Sequence, residues 1–255
     1  MRVLVTNDDG IDSPGLRALA EVVRHRGHDV LVAAPSSDRS GTSSSVTGVT
    51  RVTSISDVVW EPRPWGGWPP DTVRSVDATP ALITLIAVHE QFGPRPDLVV
   101  SGINLGANTG RAILHSGTVG AAFTAYQNSC PALAMSLDVV DDRTGPVHWD
   151  TAGVVAGRIL DWMGEDDRPV VINANVPNLA VDELAGIRQG TLDLLGTFQA
   201  VMTEPSGATV RVTVAEGDDP GAETDSALLQ RGFVSVTPLL PVVEDPAVDL
   251  EPLLG

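Results

Sequence analysis

The sequence predicts an α/β protein built on a mostly parallel sheet flanked by helices, with a C-terminal β extension, and three observations carry that expectation. Short, wholly apolar runs alternate with segments of helical periodicity, the pattern of βαβ units. Several of those runs end at once in loops of Ser, Asn, Asp and Gly, where a parallel sheet gathers its ligand-binding residues. From about residue 184 the helices give way to alternating strand-like segments. Residues 1–183 are therefore read as one α/β domain, and residues 184–255 as a β extension and tail able to clasp a second subunit.

Each element has its own signal. Arg2–Thr6 reads as a strand. Ser13 is placed to cap a helix with Pro14 at its first position, Leu16, Leu19, Ala20 and Val23 recur at helical spacing, and Gly27 can close it. Asp29–Ala33 is a second strand, followed by the polar loop "SSDRSGTSSSVTG". Residues 49–76 read as short strands broken by "EPRPWGGWPPD", an exposed turn with aromatic tips. Thr79 and Pro80 start a helix through about Gln91, and "PDLVVSG" is a buried strand running into "SGINLGANTG". "SGTVGAAFTAY" is a helix with a small, glycine-containing start, "PALAMSL" a strand, Asp150–Met163 a helix and "RPVVINANVP" a strand. Beyond these, "TFQAVMTE" and "ATVRVTVAE" flank a Pro-Ser-Gly turn, and "GFVSVTPL" precedes a proline-rich acidic tail.

Composition excludes several classes of function. The formal charge of −17 argues against a nucleic-acid backbone as partner. The charge is uneven: residues 1–128 carry 12 acids and 10 arginines, residues 129–255 carry 21 and 6, so an anionic substrate is met more readily by the first half. The absence of lysine excludes a P-loop lysine and Schiff-base chemistry. The single cysteine, Cys130, permits no intrachain disulfide and reads as a small buried residue in a reducing compartment. Val3–Val5 is too short for a signal peptide, and no run approaches the roughly 20 apolar residues of a membrane span, so a cytoplasmic protein is expected.

Three loops carry chemistry. The first offers Asn7, Asp8 and Asp9, the second Ser40, Thr42, Ser43, Ser44 and Ser45, and the third Ser101, Asn104 and Asn108. Two adjacent carboxylates at a strand end repel each other unless a cation lies beside them. Asp, Ser and Asn supply only oxygen, which suits a hard divalent ion. The other reading of "NDDG" is a turn followed by a helix cap at Asp12 or Ser13. Ser116, Gly117 and Thr118 begin a helix whose N–H groups and dipole favour a phosphate; the other reading is that Gly117 and Gly120 permit close packing. Metal ligands and an anion cradle at one sheet edge together favour phosphate chemistry.

The motifs "VTNDDGIDSPG", "APSSDRSGTSSS", "DLVVSGINLGANTG", "SGTVGAA" and "GFVSVTPL" resemble, in order and spacing, those of the SurE family of stationary-phase survival proteins, metal-dependent nucleoside monophosphate phosphatases. The resemblance spans nearly the whole chain. It implies a Rossmann-like domain, a C-terminal β hairpin with an exchanged element, a homodimer or homotetramer, and 5′-nucleotidase activity toward a nucleoside monophosphate. It implies one divalent ion per subunit, Mg²⁺ or Mn²⁺, held by Asp8, Asp9, Ser40 and Asn104, and phosphate contacts near Asn7, Ser43, Ser44, Ser45, Asn104, Ser116, Gly117 and Thr118. Two departures stand out: Ser44 occupies a position usually held by Asn, and Leu82 and Ile83 stand where Asp-Cys is usual, which leaves substrate preference open.

The expected reaction is in-line attack of water on a phosphate monoester, with Asp8 or Asp9 as the catalytic carboxylate. His115 either protonates the leaving oxygen or packs beside the helix start, and His25, His28, His89 and His148 read as surface or packing residues. Arg39 contacts phosphate, orients its loop or lies on the surface; Trp60, Trp65 and Trp68 stack a base or pack an interface. Rival readings are a nucleotide-binding sensor without turnover, a Rossmann-type nucleotide-sugar transferase, and a phosphatase for short polyphosphate or a specialised metabolite.

Overall fold

A computed structural model describes residues 1–46, 57–139, 145–165, 168–194 and 223–244, together with the backbone of short strands at 49–51, 54–55, 199–202 and 212–215. In chain order the elements are β1 (Arg2–Thr6), α1 (Pro14–His25), β2 (Asp29–Pro35), β3 (Val49–Arg51), β4 (Ser54–Ile55), β5 (Trp60–Pro62), β6 (Val73–Val76), α2 (Pro80–Val88) and β7 (Leu98–Leu105). A 3₁₀ turn (Gly110–His115) leads into α3 (Gly117–Gln127), then β8 (Ala132–Asp138), α4 (Trp149–Met163), β9 (Val171–Pro177), β10 (Gly186–Gln189), β11 (Gln199–Met202), β12 (Val212–Ala215), α5 (Asp225–Gln230) and β13 (Phe233–Leu239).

Nine strands form one sheet in the order β10-β13-β9-β8-β7-β1-β2-β6-β5. The run from β6 to β9 is parallel throughout, and β5 and β13 join it antiparallel. Alternation along the strands builds two cores. Val3 and Val5 of β1 face Leu16, Leu19 and Val23 of α1 and Val155 and Ile159 of α4. Leu4 points the other way, to Ile83 of α2 and Val119 and Ala122 of α3. Both faces of the parallel strands are thus covered, which is why these strands read as continuous apolar runs.

The C-terminal part contains the expected antiparallel hairpin, β11–β12, and differs from the reading in the position of β10 and β13 and in helix α5. The boundary expected at 183/184 is crossed by the sheet, because β10 and β13 belong to the same nine strands as β1. Within that part β11 and β12 pair antiparallel as a separate two-stranded ribbon, Gln199 opposite Ala215. Pro238 fits inside β13 because β10 pairs only as far as Val236, so at 238 the strand has one partner in the sheet. Helix α5 has no counterpart in the sequence reading, although Thr224 caps it by accepting the Ala227 N–H at 3.3 Å. At six residues it is too short for a periodic signal. The tail from 245 lies outside the described residues, as does the Pro-Ser-Gly turn.

Among the described residues no helix is long and apolar enough to cross a membrane. Cys130 is buried, its thiol 3.5 Å from the Pro96 carbonyl, and burial pushes the thiol up to about 11. At pH 8 only about 0.1% of such a thiol is thiolate. Alkylation of native protein at that pH should therefore be negligible over an hour, and should run to one label per chain in denaturant; rapid native labelling would show Cys130 to be exposed.

Candidate active site

Six parallel strands run β6-β2-β1-β7-β8-β9, so chain order reverses between β1 and β7. At such a switch point a crevice opens outside the carboxyl ends of the strands. Strand β1 delivers Asn7, Asp8 and Asp9 there, β7 delivers Asn104, the loop after β2 brings Ser40, and the N-terminus of α3 faces Asp8.

The turn after β1 is held from within. Asn7 is fully buried; its amide donates to the Gly10 carbonyl at 3.1 Å and accepts the Gly10 N–H at 3.3 Å. Both ends of the Asn7 amide are thus engaged with Gly10, which staples the turn. Gly10 sits at φ +100°, and a methyl group there would lie 3.2 Å from the Ser37 carbonyl carbon, so glycine is required for the turn to pass under the next loop. The Arg39 N–H, 2.7 Å from the Asp8 carbonyl, ties the two loops together.

Asp8 is 3% exposed and lies on the first turn of α3. It accepts the Thr118 N–H at 3.1 Å and the Thr118 hydroxyl. Gly117 makes this approach possible, since a methyl group there would lie 2.8 Å from Asp8 Oδ2. The helix start thus serves a protein carboxylate. Ser116 caps the helix by accepting the Val119 N–H at 3.1 Å, and the Ser116 N–H is taken by the Ile113 carbonyl at 3.0 Å. Thr118, fully buried, holds Asp8 through its N–H and hydroxyl; Gly117 keeps the one N–H of that turn that none of these partners takes.

Burial pushes the Asp8 carboxyl above the usual range against the pull of its Thr118 hydrogen bonds. Asp9 is pushed up to about 7 by burial and by the charge of Asp8, with the Leu105 N–H at 3.3 Å acting the other way. Carboxylates that burial and mutual repulsion disfavour are the pair that a cation stabilises. The neutral donors match. Ser40 sends its hydroxyl hydrogen to Asp38 at 2.6 Å, which leaves its lone pairs free, and Asn104 donates its amide to the Gly106 carbonyl at 2.8 Å, which leaves its side-chain oxygen. Among the described residues no group of three or more His, Cys, Asp or Glu could hold a metal; two carboxylates with neutral oxygens could offer a hard ion an all-oxygen set.

Asp8, Ser40, Asn104, Asn108, His115 and Ser116 are among the residues around a cavity of about 470 Å³. Leu105–Thr109 and Ala112 complete its lining with Gly41. Ser43, Ser44 and Ser45 are not part of that lining. Ser43 donates its hydroxyl to the Leu114 carbonyl at 2.6 Å, and the Ser45 carbonyl accepts from Thr79 at 2.5 Å. The Arg39 guanidinium pairs with Asp77 at 2.7 Å, so its side chain is directed away from the cavity. Trp65 and Trp68 meet edge to face at 5.6 Å, Trp68 donating to Glu21 of α1, while Arg74 stacks on Trp60 at 4.4 Å. All three tryptophans pack away from the cavity. Leu82 and Ile83 are buried in the core beneath α2, so that departure fills apolar space. The sequence reading missed the Thr118 clasp and the Leu105 N–H; a Thr one residue into a Gly-rich helix start was the available signal for the first, and none exists for a backbone donor.

Comparison with known proteins follows the same lines. The family model described as Survival protein SurE matches residues 3–194. The chain is 36% identical over 247 residues to the 5′-nucleotidase SurE of Aeromonas hydrophila subsp. hydrophila, covering 94% of this chain and 92% of that protein. It is 35% identical over 245 residues to the 5′/3′-nucleotidase SurE of Cronobacter sakazakii, covering 94% and 90%. The crystal structure of the SurE protein from Aquifex aeolicus superposes with a TM-score of 0.80 at 27% identity, covering 96% of this chain and 95% of that one.

Proposed function

The chain belongs to the SurE family of survival proteins, and from that premise we propose that it is a metal-dependent phosphomonoesterase that hydrolyses nucleoside monophosphates to nucleoside and inorganic phosphate. The observation that carries the reading is the Asp8–Asp9 pair at the switch point, with Asp8 clasped by the start of α3 and a cavity of about 470 Å³ beside it. That volume lies within the range of small-molecule sites. A phosphate dianion beside two carboxylates, in a chain of net charge −17, is repelled unless a cation intervenes.

Asp8, Asp9, Ser40 and Asn104 would hold one divalent ion per subunit, Mg²⁺ or Mn²⁺. When bound, the ion supplies the positive charge that polarises a phosphoryl oxygen and lowers the pKa of the attacking water. The chain's own residues do the rest. Thr118 fixes the rotamer of Asp8, as an outer hydrogen bond does for a ligating carboxylate. Asp9, less buried than Asp8, would accept the proton of the water. The Gly117 N–H and the Ser116 turn meet a phosphoryl oxygen, Ser43 to Ser45 brace that turn from behind, and His115, in the cavity wall, protonates the leaving oxygen. The β11–β12 ribbon is the element through which a dimer or tetramer would form, and the cytoplasm is the compartment that fits a chain whose one cysteine stays a thiol.

The test is release of inorganic phosphate from 5′- and 3′-nucleoside monophosphates, tripolyphosphate and an aryl phosphate, each with Mg²⁺, Mn²⁺ or chelator. Release from nucleoside monophosphates, lost by at least about a hundredfold in chelator, is expected. No release from any nucleotide by folded, metal-supplemented protein would sink the reading.

A further inference from the structure

The Asn108–Ala112 part of the cavity lining is held by residues that lie more than 60 positions away in the chain. Asn175 of β9 accepts the Asn108 N–H at 2.7 Å, and the side-chain amides of Asn173 and Asn175 both donate to the Asn108 carbonyl at 2.9 Å. Asn108 in turn donates its own side-chain amide to Ser136 at 2.8 Å. Two residues on, the Gly110 N–H donates to Asp225 Oδ2 at 2.8 Å, while Asp225 Oδ1 accepts the Asp193 and Ser226 N–H groups, each at 3.0 Å. The Arg111 N–H closes the set on the Asp193 carbonyl at 3.0 Å. Asn173, Asn175 and Asp225 are each 0% exposed.

Burying a carboxylate among backbone N–H groups, and two carboxamides under a strand edge, is a costly way to fill a core. What it achieves here is position. Besides the Asp193 and Ser226 N–H groups, which tie Asp225 itself in place, the backbone groups it holds belong to Asn108–Arg111, the stretch that links the two parts of the cavity lining, Leu105–Thr109 and Ala112. Asp8, Ser40 and Asn104 line the same cavity and the Leu105 N–H meets Asp9 at 3.3 Å, so a substrate with its phosphate at the carboxylates has Asn108, Thr109 and Ala112 as the lining left for its remaining part.

We propose that Asp225, with Asn173 and Asn175, is a positioning residue for the leaving group: it sets the Asn108–Ala112 wall against which the nucleoside of the substrate rests. The proposal rests on the phosphatase reading for the identity of that leaving group. It also gives α5 a task, since the helix carries its first residue, Asp225, into contact with the backbone of Gly110.

The experiment uses the full chain as Asp225→Asn and, as a milder second variant, Asn173→Ser, which leaves Asn175 to serve the Asn108 carbonyl. Asparagine at 225 turns an NH₂ toward an N–H donor, so the wall must shift. For the best nucleoside monophosphate, KM is expected to rise about tenfold with kcat within about threefold of wild type. KM for the small aryl phosphate, whose leaving group reaches less of the wall, and the metal concentration for half-activation should hold within about twofold. Amide hydrogen exchange at Asn108 and Gly110 should accelerate. A loss of thermal stability with unchanged KM in both variants would reduce the cluster to a structural role and overturn the proposal. If Asp225→Asn does not fold, Asn173→Ser decides by the same split. If the wild type releases no phosphate from any nucleotide, the phosphatase reading has failed on its own, and the clamp is judged by the Kd of adenosine monophosphate: weaker binding in the variants upholds it, equal binding overturns it.

Discussion

Replacing Asp9 with asparagine is expected to lower kcat/KM for nucleoside monophosphates by a factor of about 10³ or more, about 4 kcal/mol of transition-state stabilisation. Asparagine matches the shape of the side chain and can still accept the Leu105 N–H through its oxygen. It removes only the charge, and burial together with Asp8 already disfavours that charge in the metal-free protein. The variant should therefore fold, with a Tm in chelator no lower than that of wild type, and should lose the rise in Tm that Mg²⁺ or Mn²⁺ gives the wild type. Asp8→Asn is a poorer test, because it also changes the clasp: with its oxygen on the Thr118 N–H, the new NH₂ forces the Thr118 hydroxyl to turn from donor to acceptor, which perturbs the start of α3 as well. Steady-state kinetics with thermal melts in chelator and in metal separate the two effects. An Asp9→Asn enzyme within tenfold of wild type would place the essential charge elsewhere.

Local pattern carried most of the fold, and its failures share one cause. Strands β1, β2, β7, β8 and β9 announced themselves because burial on both faces makes them continuously apolar, and α1 because Ser13-Pro14 marks its start. Which strands lie side by side is a long-range fact. "GFVSVTPL" reads as a strand, yet nothing local says that β13 inserts between β9 and β10 and so carries residues past 184 into the main sheet. The same holds for the site. Asp8 and Asp9 were legible because adjacent carboxylates at a strand end demand an explanation from their neighbours alone. The role of Thr118 was not, because a hydroxyl at a helix start suits an anion from substrate or from protein equally well, and only the 110-residue contact with Asp8 decides between them. Asp225 was invisible because the six-residue α5 that carries it leaves no periodic signal and its partners Gly110 and Asp193 lie 115 and 32 positions away.

A third site of strong effect lies in the helix that holds Asp8, where two physical rules oppose each other. In mid-helix, Ala is favoured over Gly by about 1 kcal/mol, so propensity alone expects Gly120→Ala to stabilise α3. The packing expects the reverse. A methyl group on Gly120 would lie 2.5 Å from the Ser43 carbonyl oxygen, 2.6 Å from its carbon and 2.7 Å from the Ser44 nitrogen, all of them backbone atoms that no rotamer change can move aside. Overpacking of this kind costs about 1–3 kcal/mol and exceeds the propensity gain. The loop cannot yield locally either, because Ser43 is tied to Leu114 at 2.6 Å and Ser45 to Thr79 at 2.5 Å, so the strain passes along it to Gly41 and Ser40 at the cavity. Gly120→Ala is accordingly expected to lower Tm by several degrees and kcat/KM by at least about tenfold. Gly153→Ala is the matched control in α4: its methyl would meet only the Val22 side chain, at 3.1 Å, and activity should be unchanged. Should Gly120→Ala instead melt higher with full activity, the serine loop would be free to move and could not be the brace behind the Asp8 helix.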